Sequence, residues 1–241
     1  MKIVSLVPSI TELLIEIGLN NELKGITKFC IHPSEICNQI PKIGGTKNLN
    51  LELISVIQPD LIIANKEEND KSQIEKLAAD FNVLLTDTNT YDEALIMIEK
   101  IGEICNRKDK TNALIKDIKA AFDEITYQKQ SKKIIYLIWK NPFMAAGKNT
   151  FIDSIMQKAG FINCITTERY PVIEPDEIKK INPDYIFLST EPYPFKESDK
   201  LIFNKFPLSK IKIVDGEMFS WYGSRMKKAP NYFKQLWQEL M

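Results

Sequence analysis

The sequence predicts an α/β protein of two similar lobes with parallel sheets, joined by a single long α-helix, with a ligand cleft between the lobes. Three observations predict it. Residues 57–69, IQPDLIIANKEEN, and residues 181–193, INPDYIFLSTEPY, are one phrase written twice: Pro59, Asp60 and Glu67 recur 124 positions on as Pro183, Asp184 and Glu191. Short apolar runs alternate with helical patterns in both halves, which is how parallel βαβ units read. No Gly or Pro interrupts the stretch from Arg107 to Lys133.

The elements follow in order. IVSLVPSITELLIEIGL (3–19) is a strand, a turn at Pro8-Ser9 and a helix ended by Gly18, glycine being suited to the left-handed residue that closes a helix. Glu52, Leu53 and Ile54 open a short helix, Pro-Asp follows, then a buried strand (LIIA) and Glu67 in a polar loop. Proline is tolerated before a central strand but not within it. NVLLTDTN (82–89) is a third strand carrying Asp87, and Tyr91–Ile104 a helix. Ala113, Leu114, Ile118, Ala121, Phe122 and Ile125 form one apolar stripe, so about 108–129 is expected to be a long amphipathic helix running from lobe to lobe. A flexible hinge would be rich in Gly and Ser; this stiffer connector implies small lobe movements.

The second half repeats the plan. IIYLIWKNPFMAAGKNTFIDSIMQKAGF (134–161) is a strand, a longer turn through Pro142 and Gly147, and a helix ended by Gly160. Asp176, Glu177 and Ile178 open the second copy of the short helix, YIFLS is its strand, and KIKIVDGEMF (210–219) places Asp215 where Asp87 stood. The expected division is residues 1–105, a connecting helix over 106–131, and residues 132–241.

Composition narrows the function. Basic and acidic residues balance at 32 each, so there is no basic surplus to favour nucleic acid or an anionic membrane as partner. No apolar run reaches the roughly 20 residues of a membrane span. A core strand starting at residue 3 leaves no room for a secretory leader, which points to a cytoplasmic protein, or to an extracytoplasmic one whose leader has been removed. Cys30, Cys37, Cys105 and Cys164 show no C-x-x-C spacing and read as free, largely buried thiols.

Ligands of open α/β sheets lie beyond the carboxyl ends of the strands. The loops expected there are 29–33, 44–48, 65–69, 139–148, 191–195 and 219–225. They carry Phe29, the lone His32, Lys47, Asn65, Trp139, Phe143, Trp221, Tyr222 and Arg225, with Tyr170 nearby. His32 is either a turn residue or an axial metal ligand. GGTKN (44–48) lacks the Walker pattern and reads as a tight glycine turn presenting backbone N–H groups. Aromatics in Gly/Pro-broken loops suit a flat, apolar ligand with polar edges. No catalytic motif is present: no G-x-S-x-G, H-E-x-x-H or G-x-G-x-x-G, so no enzyme is expected.

The opening IVSLVPSITELLIEIGL, GITKFCIHP, GGTKNLNLELISVIQPDLIIANKEEN, WKNPFMAAGKNTFIDSIMQKAGFIN and FSWYGSR together resemble the substrate-binding proteins of ABC importers whose lobes are joined by a helical backbone, and within them the cobalamin-binding branch. The resemblance implies Rossmann-like lobes, a monomer, and a corrinoid ligand, with haem or a ferric siderophore as alternatives. It implies aromatic contacts from Phe29, Trp139, Phe143, Tyr170, Trp221 and Tyr222. Asn65 stands where close relatives often carry an aromatic. It also implies that Glu67 and Glu191 dock on arginines of a dimeric permease, with Glu68 and Glu197 as substitutes. A leaderless intracellular protein handling a metal or cofactor is the competing reading.

Overall fold

The structure is a computed structural model that describes residues 1–125, 131–203 and 210–241. The chain divides into two units: Met1–Thr88, Asp92–Asp117 and Tyr222–Arg225 form the first, and Asn89–Tyr91, Ile118–Trp221 and Met226–Met241 the second.

The first unit is a four-stranded parallel sheet. Its strands are β1 (Ile3–Ser5), β2 (Leu23–Ile26), β3 (Leu61–Asn65) and β4 (Val83–Thr86), ordered β2-β1-β3-β4. Its helices are α1 (Pro8–Glu16), α2 (Ser34–Cys37), α3 (Leu51–Ile57), α4 (Lys71–Asp80) and, from its second residue on, α5 (Tyr91–Ile104). α1 starts on Pro8 at its first turn, where a missing N–H costs nothing. Asn50 and Asp70 cap α3 and α4 by accepting from Leu53 N and Gln73 N. Every residue of β3 is buried, as a central parallel strand covered on both faces requires. Val4, Leu6, Ile43, Ile54, Ile62 and Leu77 fill one side of this sheet.

α6 (Lys108–Asp123) supplies residues to both units, the division falling after Asp117. It is shorter than the stripe suggested. Ile125 N donates to Phe122 O at 3.1 Å, a tightened last turn that ends the helix. Residues 126–129 of the expected helix lie outside the described residues.

The second unit repeats the arrangement on β5 (Lys132–Trp139), β6 (Met144–Ala145), β7 (Phe161–Asn163), β8 (Tyr185–Ser189) and β9 (Lys210–Val214). β7, β5, β8 and β9 are parallel neighbours in that order. β6 departs from the all-parallel expectation: it pairs antiparallel with the end of β5, because the chain doubles back through the longer turn at Asn141-Pro142. Its helices are α7 (Phe151–Lys158), α8 (Pro175–Ile181), α9 (Gly216–Ser220) and α10 (Ala229–Leu240). Ile135, Leu137, Ile178, Ile186, Leu188, Phe195 and Phe203 form one core cluster. Elsewhere in the unit Phe161 stacks on Trp237 at 4.7 Å between ring centres.

The repeated phrase has a mechanical use in each unit. Asp60 N donates to Lys2 O at 2.9 Å and Asp184 N to Lys133 O at 2.8 Å. The carboxylates answer in kind, accepting Lys2 N at 2.6 Å and Lys133 N at 2.7 Å. Each aspartate therefore pins the start of the repeated strand to the start of its neighbour. The helices before it, α3 and α8, both close on a left-handed residue, Gln58 at φ 51° and Asn182 at φ 48°.

Candidate functional site

β3 ends on Asn65, whose side chain organises the loop beyond it. Its Oδ1 accepts from Glu67 N at 2.9 Å and Glu68 N at 3.3 Å, and its Nδ2 donates to Thr86 Oγ1 at 3.1 Å. Asn65, expected at the ligand, is only 1% exposed and anchors a turn. Lys47 Nζ donates to the carbonyls of Glu67 and, at 3.4 Å, Asn69. The Glu67 side chain is half-buried, with Oε1 out of solvent contact. Burial pushes the Glu68 carboxyl above the usual range, and the nearby Lys47 charge pulls it back in part. A carboxyl raised in the fold destabilises the folded state once ionised: stability is whole below its unfolded pKa and falls as pH rises toward the folded one. Glu68→Gln is therefore expected to raise the unfolding midpoint at neutral pH and leave it unchanged in acid, a difference readable by urea titration at two pH values.

The second unit repeats this turn with different atoms. Ser189, 124 residues after Asn65, ends β8 and is also 1% exposed. Its Oγ accepts from Glu191 N at 3.3 Å and from Tyr136 Oη at 3.0 Å, and donates to Glu191 O. The Glu191 carboxylate accepts from Ser220 Oγ. Gly216 sits against this turn: a Cβ there would lie 2.4 Å from Ser189 Oγ and 2.6 Å from Glu191 Cγ. Sequence reading missed Ser189, Ser220 and Gly216; the 124-residue offset applied to Asn65 was the signal for the first. Of the substitutes, Glu197 is exposed and pairs with Lys200 at 2.7 Å.

The expected aromatics separate into two groups. Phe29 is 50% and Trp139 40% exposed. Phe29 lies along Gly45, whose Cβ would stand 3.3 Å from its ring edge. Trp139 meets Tyr193 edge-on at 5.7 Å. Trp221 and Tyr222 are buried. Phe143 is half-buried and lies on Phe203 at 5.2 Å. Tyr170 is half-buried, with the Arg169 guanidinium 5.7 Å from its ring centre.

The cations of these loops are engaged within the fold. Arg225 makes a buried two-point pair with Glu12, Nε to Oε2 and NH2 to Oε1, both at 2.9 Å. Lys140 pairs with Asp199 at 2.6 Å, Lys148 with Asp153 at 3.0 Å and Lys66 with Asp87 at 2.9 Å. Arg169 NH1 donates at 2.7 Å to both Asn89 Oδ1 and Asn149 O. Glu12, the partner of Arg225, was the one acid inside an apolar helix face and could have been read as a paired charge.

The glycine turn at 44–48 is closed on itself: Gly45 N donates to Asn48 O at 2.8 Å, so this N–H is spent inside the turn. His32 is half-buried ahead of a cis proline, and its carbonyl accepts from Cys37 Sγ at 3.2 Å. All four cysteines are free thiols. Burial raises each of them, Cys37 and Cys105 to about 11, which favours the protonated thiol at neutral pH. Among the described residues no group of three or more His, Cys, Asp or Glu is placed to hold a metal ion, and no helix is long and apolar enough to cross a membrane.

The chain has known relatives in sequence and in fold. An uncharacterised ABC transporter substrate-binding lipoprotein of Bacillus subtilis, YvrC, is 30% identical over 197 residues, which is 77% of this chain but 62%, under two thirds, of that protein's length. The vitamin B12-binding protein of Vibrio cholerae is 22% identical over 194 residues, 78% of this chain and 70% of its own. Among solved structures, the periplasmic heme-binding protein RhuT from Roseiflexus sp. RS-1 matches with a TM-score of 0.85 at 19% identity, covering 100% of this chain and 99% of that one, a likeness of fold. The family model described as periplasmic binding protein matches residues 3–212. The chain, two parallel-sheet units with matching strand-end loops, therefore belongs to the periplasmic binding protein family.

Proposed function

We propose that the protein is the substrate-binding component of an ABC importer, acting outside the cytoplasm without catalysis, and that its ligand is a corrinoid. One observation carries the ligand choice. At the strand ends, two aromatic rings are partly open to solvent while four of the cations are paired with carboxylates. Phe29 and Trp139 are partly exposed, with Lys28 Nζ 5.1 Å from the Phe29 ring centre. Arg225, Lys140, Lys148 and Lys66 are each matched by a carboxylate. A ferric siderophore or the propionates of haem need uncommitted cations, because a buried charge is stabilised only when it is paired. A corrin ring rimmed by amides asks for apolar faces and neutral hydrogen bonds. Glu67 and Glu191, on matched turns, are the groups we assign to docking on the importer's permease, where such charges set orientation and encounter rate.

The test is a calorimetric and visible-absorbance titration with aquocobalamin, haem and a ferric catecholate in parallel. One-to-one corrinoid binding is expected. Trp139→Ala should weaken it roughly 10- to 100-fold, the value of one large ring removed from contact. A band shift that disappears in His32→Ala marks the imidazole as an axial ligand. Binding of haem or the catecholate with none of the corrinoid overturns the ligand assignment.

A further inference from the structure

We propose that Asn65 and Ser189 are positioning residues for Glu67 and Glu191, fixing the direction in which each glutamate leaves its strand; this rests on the reading of those glutamates as docking groups. The two residues occupy the same place in their units. Each is the last residue of the fully buried repeated strand, and they lie 124 positions apart. Each is 1% exposed. Each accepts, through its side-chain oxygen, the N–H of the glutamate two residues on, at 2.9 Å for Asn65 and 3.3 Å for Ser189.

A structural role alone does not ask for these side chains. The residues just before them, Ala64 and Leu188, are apolar and equally buried, and a buried amide or hydroxyl costs free energy unless its hydrogen bonds are met. Here they are met, and in both cases the bonds are aimed at the glutamate's own backbone. Asn65 uses an amide and reaches across to Thr86 Oγ1 on β4; Ser189 uses a hydroxyl that also accepts the hydrogen bond of Tyr136 Oη. Two different chemistries have reached the same result, a side-chain-to-backbone turn of the kind Asn and Ser make. Gly216 supports the assignment in the second unit. Its missing Cβ is what leaves room for both the Ser189 hydroxyl and the first carbons of the Glu191 side chain.

The experiment uses the full chain, reading amide hydrogen exchange and affinity for the permease dimer in proteoliposomes. Asn65→Ala is expected to speed exchange at the Glu67 and Glu68 amides about tenfold, the loss of one hydrogen bond, with β3 amides unchanged. It should weaken docking as far as Glu67→Ala does. Ser189→Ala should do the same at Glu191. Asn65→Ser, which places the second unit's anchor in the first, should restore both readouts, something a merely space-filling role does not predict. Unchanged exchange at Glu67 in Asn65→Ala overturns the proposal. So does full-strength docking by Asn65→Ala when Glu67→Ala has lost it, and the docking reading then survives. If Glu67→Ala and Glu191→Ala themselves dock normally, the docking reading is wrong, and the positioning role falls with it.

Discussion

Arg225→Ala is expected to lower stability by roughly 3–5 kcal/mol, because it strands a buried carboxylate. The Arg225 and Glu12 side chains are 8% and 9% exposed, so water screens neither. Their two parallel hydrogen bonds, both 2.9 Å, are the fork geometry in which Arg binds carboxylate best. The pair also holds a stretch of chain. Gly223, at φ 114°, brings the backbone so close to α1 that a Cβ would lie 3.3 Å from Ser9 O and 3.4 Å from Leu13 Cβ. Losing the guanidinium should release Tyr222–Arg225 from that helix. For a chain of this length the shift in Tm is on the order of 10 °C. The double variant Glu12→Leu with Arg225→Met removes both charges and keeps the volume, and should recover most of the loss. Thermal unfolding of the parent, Glu12→Leu, Arg225→Met and the double variant measures the coupling; an Arg225→Ala protein as stable as its parent shows that the charge pair contributes nothing.

The same pair illustrates what the sequence could and could not convey. Arg225 stood in an aromatic, glycine-broken loop, where a cation looks available to a ligand. Its neutraliser lies 213 residues away on α1; Glu12 in an apolar helix face announces a paired charge, but nothing local says which cation it pairs with. The repeat was another matter. Helix, Pro-Asp, strand and glutamate were all readable because each part is fixed by local physics. Proline cannot sit inside the strand, five successive buried residues must be apolar or paired, and the helix must close before the turn. The offset of 124 then carries α3 onto α8 and β3 onto β8 residue for residue. It fails where a loop differs: the turn after β5 is longer, and there the structure adds β6 with its antiparallel edge.

The site was legible in outline only. Loop assignment followed from the strands, and the duplicated glutamates followed from the repeat. Exposure did not follow. Phe29 and Trp139 present their rings to solvent, whereas Trp221 and Tyr222 turn inward, and all four sit in loops of similar composition. Direction depends on tertiary neighbours: Gly45 beneath Phe29 and Tyr193 beside Trp139. Asn65 shows a related ambiguity: a polar side chain at a strand end can face ligand or face its own loop. The choice is made by Thr86 on the adjacent strand, which is invisible in a linear reading.

Gly147→Ala should be the second severe substitution, and for a steric cause. A Cβ at this position would stand 2.0 Å from Thr167 O, a backbone atom, and real Cβ atoms essentially never come within 3.0 Å. One of the two segments must therefore retreat by about 1 Å. They are laced together by Gly147 N to Arg169 O at 2.7 Å, Lys148 N to Thr167 O at 2.9 Å and Arg169 N to Lys148 O at 2.8 Å. Losing these three bonds costs about 3 kcal/mol at roughly 1 kcal/mol each. Gly18→Ala is the informative control. Gly18 has φ 80° and nothing within 4 Å of its Cβ position, so its cost is conformational only, about 1 kcal/mol. The displaced segment carries Arg169 and Tyr170, so, on the proposal that Tyr170 contacts the ligand, Gly147→Ala should also weaken ligand binding, while Gly18→Ala should leave it intact. Equal Tm losses in the two variants would mean that the 145–148 and 167–171 segments yield freely, and Tyr170 would then have no rigid frame from which to hold a ligand.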